Sequence, residues 1–225
     1  MQILIAADID PLAIQDVFIS HRHLDHAGGL EPLLLWRRVR VTQAGRPVTD
    51  AGLNVHTEQR VIDYFRRLYE VTGSNTPPLL GEALAWRPLV DGQPSPLSHG
   101  GRLVPFLVDH APPDGGAMGC VVEVDGFRIA YSGDTRPSDR LSDVAQGADV
   151  LLHEVGGFDR DADRVHTPAH STAGDAGRVA RAAGVKVLCI THLPADIDLD
   201  GLQAEARAAF GGPVILAADL GSIDL

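Results

Sequence analysis

Cysteine is scarce in this chain. There are two in 225 residues, Cys120 and Cys189, and both lie inside apolar runs. Two thiols so placed exclude a disulfide framework and read as buried thiols of a cytoplasmic protein. Long apolar runs are missing as well: none nears the roughly 20 residues that cross a bilayer. The first residues show no basic region followed by a small-residue cleavage site, so neither a membrane partner nor a signal peptide is expected. No repeat, low-complexity tract or Ser/Gly/Pro-rich linker divides the chain, which predicts one domain over 1–225. Lysine is almost absent, Lys186 being the only one. The formal net charge of −11 excludes a broad nucleic-acid-binding surface. One basic stretch departs from that balance: Arg37, Arg38, Arg40, Arg46, Arg60, Arg66 and Arg67 fall within 31 residues. They read as solvated helix faces, with a local phosphate-facing patch as the sharper alternative.

What is present alternates in type. Met1 to Ala7 reads as a helix end closed by DIDP, and DVFIS (16–20) as a short buried strand. AGGLEPLLLWRR (27–38) reads as a helix and RVRVT (38–42) as another strand. Val61, Ile62, Phe65, Leu68 and Tyr69 follow the period of an amphipathic helix. TGSNTPP (72–78) and DGQPSP (91–96) read as loops. GRLVPFLVDH (101–110) predicts a strand, and MGCVVEVDGFRIAYSGDT (118–135) a hairpin turned at Asp125-Gly126. ADVLLHE (148–154), VKVLCITH (185–192) and PVILAA (213–218) predict further strands. HSTAGDAGRVARAAG (170–184) predicts a helix with Ser171 or Thr172 at its N-cap and Gly184 at its end, and DGLQAEARAAF (200–210) predicts another. The class is therefore α/β. His21, His110, Asp134, Glu154 and His192 each stand at or just after the C-terminal end of an apolar run. Sites in open α/β sheets form at such ends, so one shared site is expected.

The densest chemistry lies in FISHRHLDHAGGL (18–30). His21 and His23 are two apart, so an extended backbone points both the same way. Asp25 and His26 follow where the chain turns into a helix. One stretch can then serve two adjacent cations, two imidazoles for one and a carboxylate plus an imidazole for the other. Imidazole with carboxylate suits zinc, and also manganese or iron. His110, Asp134 and His192 offer the remaining ligands, and the two oxygens of Asp134 allow it to bridge. Cations about 3.5–4 Å apart can share a hydroxide and stabilise both the attacking and the leaving oxygen of a displacement.

SHRHLDHAGGL resembles the signature loop of the metallo-β-lactamase-fold superfamily. DH at 109–110, YSGDT at 131–135 and THL at 191–193 resemble its later metal motifs, in the same order. By that resemblance His21, His23, His110 and Asp134 bind one divalent ion, and Asp25, His26, His192 and the shared Asp134 bind the second. LLHEVGGF and AHSTAGDAGRVARAAGVKVLCITHL resemble the ribonuclease Z-like group, in which a glutamate and the histidine of HST pair beside the metals; here these are Glu154 and His170. The resemblance runs from about Asp16 to the C-terminus and is weak between Arg46 and Arg102. It implies an αβ/βα sandwich with the metals at one edge, and about nine readable strands fit an incomplete version.

The expected activity is a metal-dependent phosphodiesterase acting on a small phosphodiester or an RNA 3′ end. A bridging hydroxide attacks, Asp25 orients it, and His170, charged and oriented by Glu154, protonates the leaving oxygen. The acidic charge, and the lack of a basic glycine-rich arm between 46 and 102, weaken a tRNA substrate. An aryl sulfatase or other ester hydrolase, and a non-catalytic metal-binding protein, are the alternatives. His153 reads as structural, His166 as a residue near substrate, and His56 and His99 as without a role. Only 20 residues precede His21, whereas the family resembled places several strands there. The sandwich is thus expected to lack its N-terminal strands, leaving an edge that invites pairing with a second copy, a homodimer.

Overall fold

The computed structural model describes residues 2–73, 81–110 and 116–224. They form two compact units, residues 1–90 with 97–99, and residues 91–96 with 100–225.

In the first unit the helices α1 (Gln2–Ala6), α2 (Leu24–Ala27), α3 (Leu30–Gln43) and α4 (Gln59–Thr72) accompany three strands. These are β1 (Asp16–Phe18), β2 (Leu53–Glu58) and β3 (Leu84–Leu89), all parallel, with Val17 opposite Val55 and Val55 opposite Trp86. Parallel neighbours need long crossovers, and α3 and α4 lie on them. Leu30, Leu33, Leu34 and Val41 of α3 and Val61 and Phe65 of α4 bury their side chains with Leu53, Val55 and Leu84 in one core.

One expectation is overturned here, and two strands carry no clear signal in the sequence. RVRVT is not a strand: α3 continues through it to Gln43. Its arginine–valine alternation imitates a strand period, but Leu30, Leu33, Leu34, Arg37 and Val41 hold helical spacing and all are buried, so packing decides. The strand β2 escaped notice because it is buried at Leu53, Val55, His56 and Thr57, which erases the polar alternation of a half-exposed strand. The strand β3 was masked by Pro88, a residue tolerated at the end of a sheet. Most of the TGSNTPP reading falls at 74–78, outside the described residues. The helix expected from Val61 to Tyr69 is present as α4.

Arg37 belongs neither to a solvated face nor to a phosphate patch. It is 1% exposed and donates to the carbonyls of Pro11, Ile14, Ala51 and Gly52. One guanidinium thereby ties the segment before β1 to the segment before β2. His56 is also structural: it is buried, and its Nε2 donates to Asp16 Oδ1 at 2.9 Å.

The second unit has a seven-stranded sheet in the order β10-β9-β8-β7-β6-β5-β4. The strands are β4 (Ser95–Pro96), β5 (Arg102–Leu107), β6 (Met118–Val124), β7 (Phe127–Tyr131), β8 (Val150–Glu154), β9 (Val187–Thr191) and β10 (Val214–Leu216). Its helices are α5 (Asp139–Val144), α6 (Ala162–His166), α7 (Ala173–Ala183) and α8 (Leu199–Phe210). The hairpin between β6 and β7 turns at Asp125 and Gly126, both at positive φ, 51° and 85°, as a two-residue primed turn requires. Thr172 and Asp175 form a capping box at the start of α7, and Gly184 closes it in the left-handed region. Gly177 lets α8 approach, since a Cβ there would lie 2.4 Å from the Ala206 carbonyl.

Strand direction positions the site. The strands β7 to β10 are parallel, so the ends of β7, β8 and β9 share one edge of the sheet. The strand β5 joins them there because two antiparallel steps restore its direction: Leu107 faces Met118, and Cys120 faces Tyr131.

Replacing Arg37 by Met should lower the unfolding free energy by about 2–4 kcal/mol, because several buried carbonyls lose their donor. Urea denaturation at unchanged m checks this, and a loss below about 0.5 kcal/mol would show that the guanidinium is dispensable.

Candidate active site

In the second unit the site grows from four strand ends. After β7, Ser132 N–H donates to the Leu152 carbonyl at 2.9 Å. Gly133 then turns at φ 60°, where a Cβ would meet the Met118 carbonyl at 2.7 Å, so only glycine fits. The turn delivers Asp134 to a position 2% exposed. Its Oδ2 lies 3.7 Å from His110 Nε2, 3.7 Å from His192 Nε2 and 4.0 Å from His170 Nδ1. His110, beyond β5, donates Nδ1–H to the Ala169 carbonyl at 2.9 Å. That bond fixes the tautomer and leaves Nε2 as the nitrogen facing Asp134. His192, after β9, has φ 53°, a left-handed backbone that costs a non-glycine residue about 1–2 kcal/mol and clusters at functional sites. Ligand atoms of Asp134, His170 and His192 all lie within 4.8 Å of one another.

Glu154 closes β8 and is 1% exposed. Its Oε1 accepts from Thr135 N–H at 2.9 Å, from Ser171 N–H at 3.2 Å and from His170 Nδ1 at 3.1 Å. The side chains of Glu154 and His170 thus form a pair through Nδ1.

In the first unit, Ile19 N–H donates to His56 O at 3.0 Å and Thr57 Oγ1 donates to Ile19 O at 2.8 Å, extending β1 toward the histidine stretch. His21 Nε2 and His23 Nδ1 stand 2.8 Å apart. Ser20 Oγ lies 3.1 Å from His21 Nδ1 and 3.4 Å from His26 Nδ1. Asp25 Oδ2 is 3.4 Å from His26 Nε2. Each unit thus gathers its own share of the expected ligands: His21, His23, Asp25 and His26 in the first, His110, Asp134 and His192 with Glu154 and His170 in the second.

His153 is structural, as expected: it is buried, donates Nδ1–H to Glu154 O at 2.7 Å, and burial lowers its pKa so that it stays neutral. His166, read as a residue near substrate, is part-exposed and braced from within the protein. Its Nε2 contacts Asp175 Oδ2 at 2.7 Å, a contact within the protein.

Two residues escaped the sequence. The Arg136 guanidinium donates to the Asp109 carboxylate at 3.2 and 3.3 Å, to His166 O at 2.7 Å and to Thr167 O at 3.2 Å, which ties the loops of His110, Asp134 and His170. Its place directly after GDT, with Asp109 beside His110, was the available signal. Asp175 caps α7 and accepts from His166, Thr172 and Arg178. Burial alone would raise its carboxyl, but hydrogen bonds from His166, Thr172 and Arg178 outweigh burial and hold it at about 2.

Imidazoles and carboxylates collected at the strand ends of an α/β sheet form a group that could hold a metal ion. Residues 6–193 match the beta-lactamase superfamily domain family, and the chain belongs to it. It is 34% identical over 216 residues to the uncharacterized protein ML1173 of Mycobacterium leprae, covering 91% of this chain and 68% of that protein. It is 40% identical over 107 residues to ribonuclease Z of Brevibacillus brevis, covering 44% of this chain and 33% of the enzyme. The metallo-beta-lactamase fold protein YhfI of Bacillus subtilis superposes with a TM-score of 0.76 at 21% identity, over 93% of this chain and 77% of that one. The α/β class and the metallo-β-lactamase fold expected from the sequence are borne out.

Asp175 contributes stability that is present above its unfolded pKa near 3.8 and lost as pH falls through its folded value of about 2. In EDTA, between about pH 4 and pH 2, the native protein should lose about 2 kcal/mol more than Asp175→Asn does. Urea unfolding across that range measures the difference, and parallel curves would refute the account.

Proposed function

We propose that this protein is a dinuclear metal-dependent phosphodiesterase, similar in kind to ribonuclease Z, acting on a small phosphodiester or an RNA 3′ end. The observation that carries the reading is the buried Glu154 carboxylate holding His170 at 3.1 Å, beside Asp134. A histidine oriented by a carboxylate suits protonation of a poor leaving oxygen, as a phosphodiester has.

The residues fit divalent cations. With Nδ1 donating to Ala169, His110 presents Nε2 to the Asp134 carboxylate, and His192 Nε2 stands at the same distance from that oxygen. Such a donor set suits zinc, manganese or iron, and zinc is our assignment. Following the order of the family motifs, we assign His21, His23, His110 and Asp134 to one ion, and Asp25, His26, His192 and Asp134 to the other. When bound, two such ions supply positive charge to the phosphoryl oxygens and acidify water. The chain does the rest. Asp25 orients the attacking water. His170 passes the proton from Nε2 to the leaving oxygen, and Glu154 stabilises the imidazolium from Nδ1. The Ala169 carbonyl holds His110 in the tautomer that can ligate.

The net charge of −11 favours a compact substrate over a long RNA. Among the described residues no helix is long and apolar enough to cross a membrane. Both cysteines are buried free thiols, which suits the cytoplasm, where we place the protein.

Asp134→Ala should reduce metal content toward zero, and Asp25→Ala should lose mainly one ion, by elemental analysis of zinc-loaded protein. Two ions per chain and normal turnover in Asp134→Ala would overturn the ligand assignment. His170→Ala should keep its metals and slow hydrolysis of an alkyl or nucleoside phosphodiester by about 10²–10⁴-fold. Bis(p-nitrophenyl) phosphate, whose leaving group needs no proton, should lose far less; equal losses on both would exclude a proton-donor role.

A further inference from the structure

Beside the Glu154–His170 pair lies a cavity of about 260 Å³, lined by His170 and His192, by Val165, Pro168 and Leu193, and by Arg164. Four observations limit what can occupy it. A proton donor must touch the leaving oxygen, so the space against His170 belongs to the leaving portion of the substrate. The cavity is smaller than the roughly 300–1,000 Å³ that encloses a drug-sized ligand, so it takes one ring rather than a chain of them. Val165, Pro168 and Leu193 offer apolar surface, which suits the face of a sugar or base.

The fourth observation is Arg164. It is exposed, on the short helix α6, and its guanidinium lies against Gly157: a Cβ built there would be 3.3 Å from Nη2 and 2.9 Å from Val165 Cγ2. Glycine at 157 makes room for both side chains. The surrounding arginines each have a carboxylate, Arg136 with Asp109, Arg160 with Asp161 and Arg178 with Asp159. Among the described residues no carboxylate pairs with Arg164. In a strongly acidic chain, this cation at the cavity is available to an anion from outside, and a guanidinium matches a phosphate with two parallel hydrogen bonds.

We infer that this cavity is a leaving-group subsite and that Arg164 binds a second phosphoryl group, one nucleoside away from the scissile phosphate. Arg164 is then a specificity-determining residue. The preferred substrate class is a phosphorylated dinucleotide or an oligonucleotide end, rather than a diester with a single phosphate. The inference rests on the phosphodiesterase reading above, and its test reads binding so that the two can fail separately.

Affinities of uridine 5′-phosphate, uridine 3′-phosphate and uridine 3′,5′-bisphosphate for the zinc-loaded protein would be measured by titration calorimetry. The bisphosphate should bind at least tenfold more tightly than either monophosphate. In Arg164→Gln that advantage should fall below threefold, and Arg164→Lys should keep part of it. Equal affinities in the native protein, or an advantage that survives in Arg164→Gln, would overturn the inference. Turnover of the phosphorylated dinucleotide pUpU, assayed in parallel, reports on the phosphodiesterase reading: its absence removes that reading without altering what the bisphosphate comparison says about Arg164.

Discussion

One oxygen organises the functional edge of the second unit. Glu154 Oε1 accepts from Thr135 N–H, Ser171 N–H and His170 Nδ1. Burying a carboxylate is costly unless donors surround it, so these three contacts are a condition of Glu154 being where it is. Thr135 follows Asp134 and Ser171 follows His170, so the same oxygen sets the spacing between the Asp134 loop and the His170 loop. Ser171 Oγ donates to Thr135 O at 2.7 Å and straps the two loops directly. Glu154 itself has little freedom: it ends a strand paired on both sides, and its N–H donates to Ser132 Oγ at 3.0 Å.

Around that oxygen lies a ring of ionic contacts that holds loops rather than strands. Arg136 spans three of them, and the Asp159–Arg178–Asp175 cluster anchors the start of α7 just after His170. Thr172 Oγ1 stands within hydrogen-bond reach of the carboxylates of both Asp159 and Asp175. Exposed ion pairs taken singly contribute little, but here several share partners and Asp175 is buried. Chemistry placed on loops needs such bracing, because geometry off by an ångström weakens catalysis sharply. The division of labour is plain: parallel strands deliver residues to one edge, and the ionic ring determines how the delivered residues face each other.

Legibility in the sequence tracked how local the physics was. The hairpin at Asp125-Gly126, the capped helix from Thr172 to Gly184 and the amphipathic helix around Phe65 were readable because turn chemistry, capping and period act within a few residues. RVRVT and β2 were misread or missed because their state depends on what packs on them: Val39 is left exposed while Arg37 goes inside, and β2 hides two polar side chains. Nothing local in the sequence signals that Asp175, nine residues on, folds back to His166.

The sequence by itself determined the chemical vocabulary: the candidate ligands in one clustered stretch and at three strand ends, the α/β alternation, and the Glu154 and His170 pairing through family resemblance. These were legible because metal chemistry admits few side chains and because strand ends announce themselves by the polar residue that stops an apolar run. Only the tertiary structure decided that Asp134 sits buried 3.7 Å from two imidazoles, that Arg37 is a core residue, and that Arg136 and Asp175 brace the loops. Those facts depend on contacts between residues far apart in sequence, and such contacts follow from strand order and direction, which no local pattern encodes.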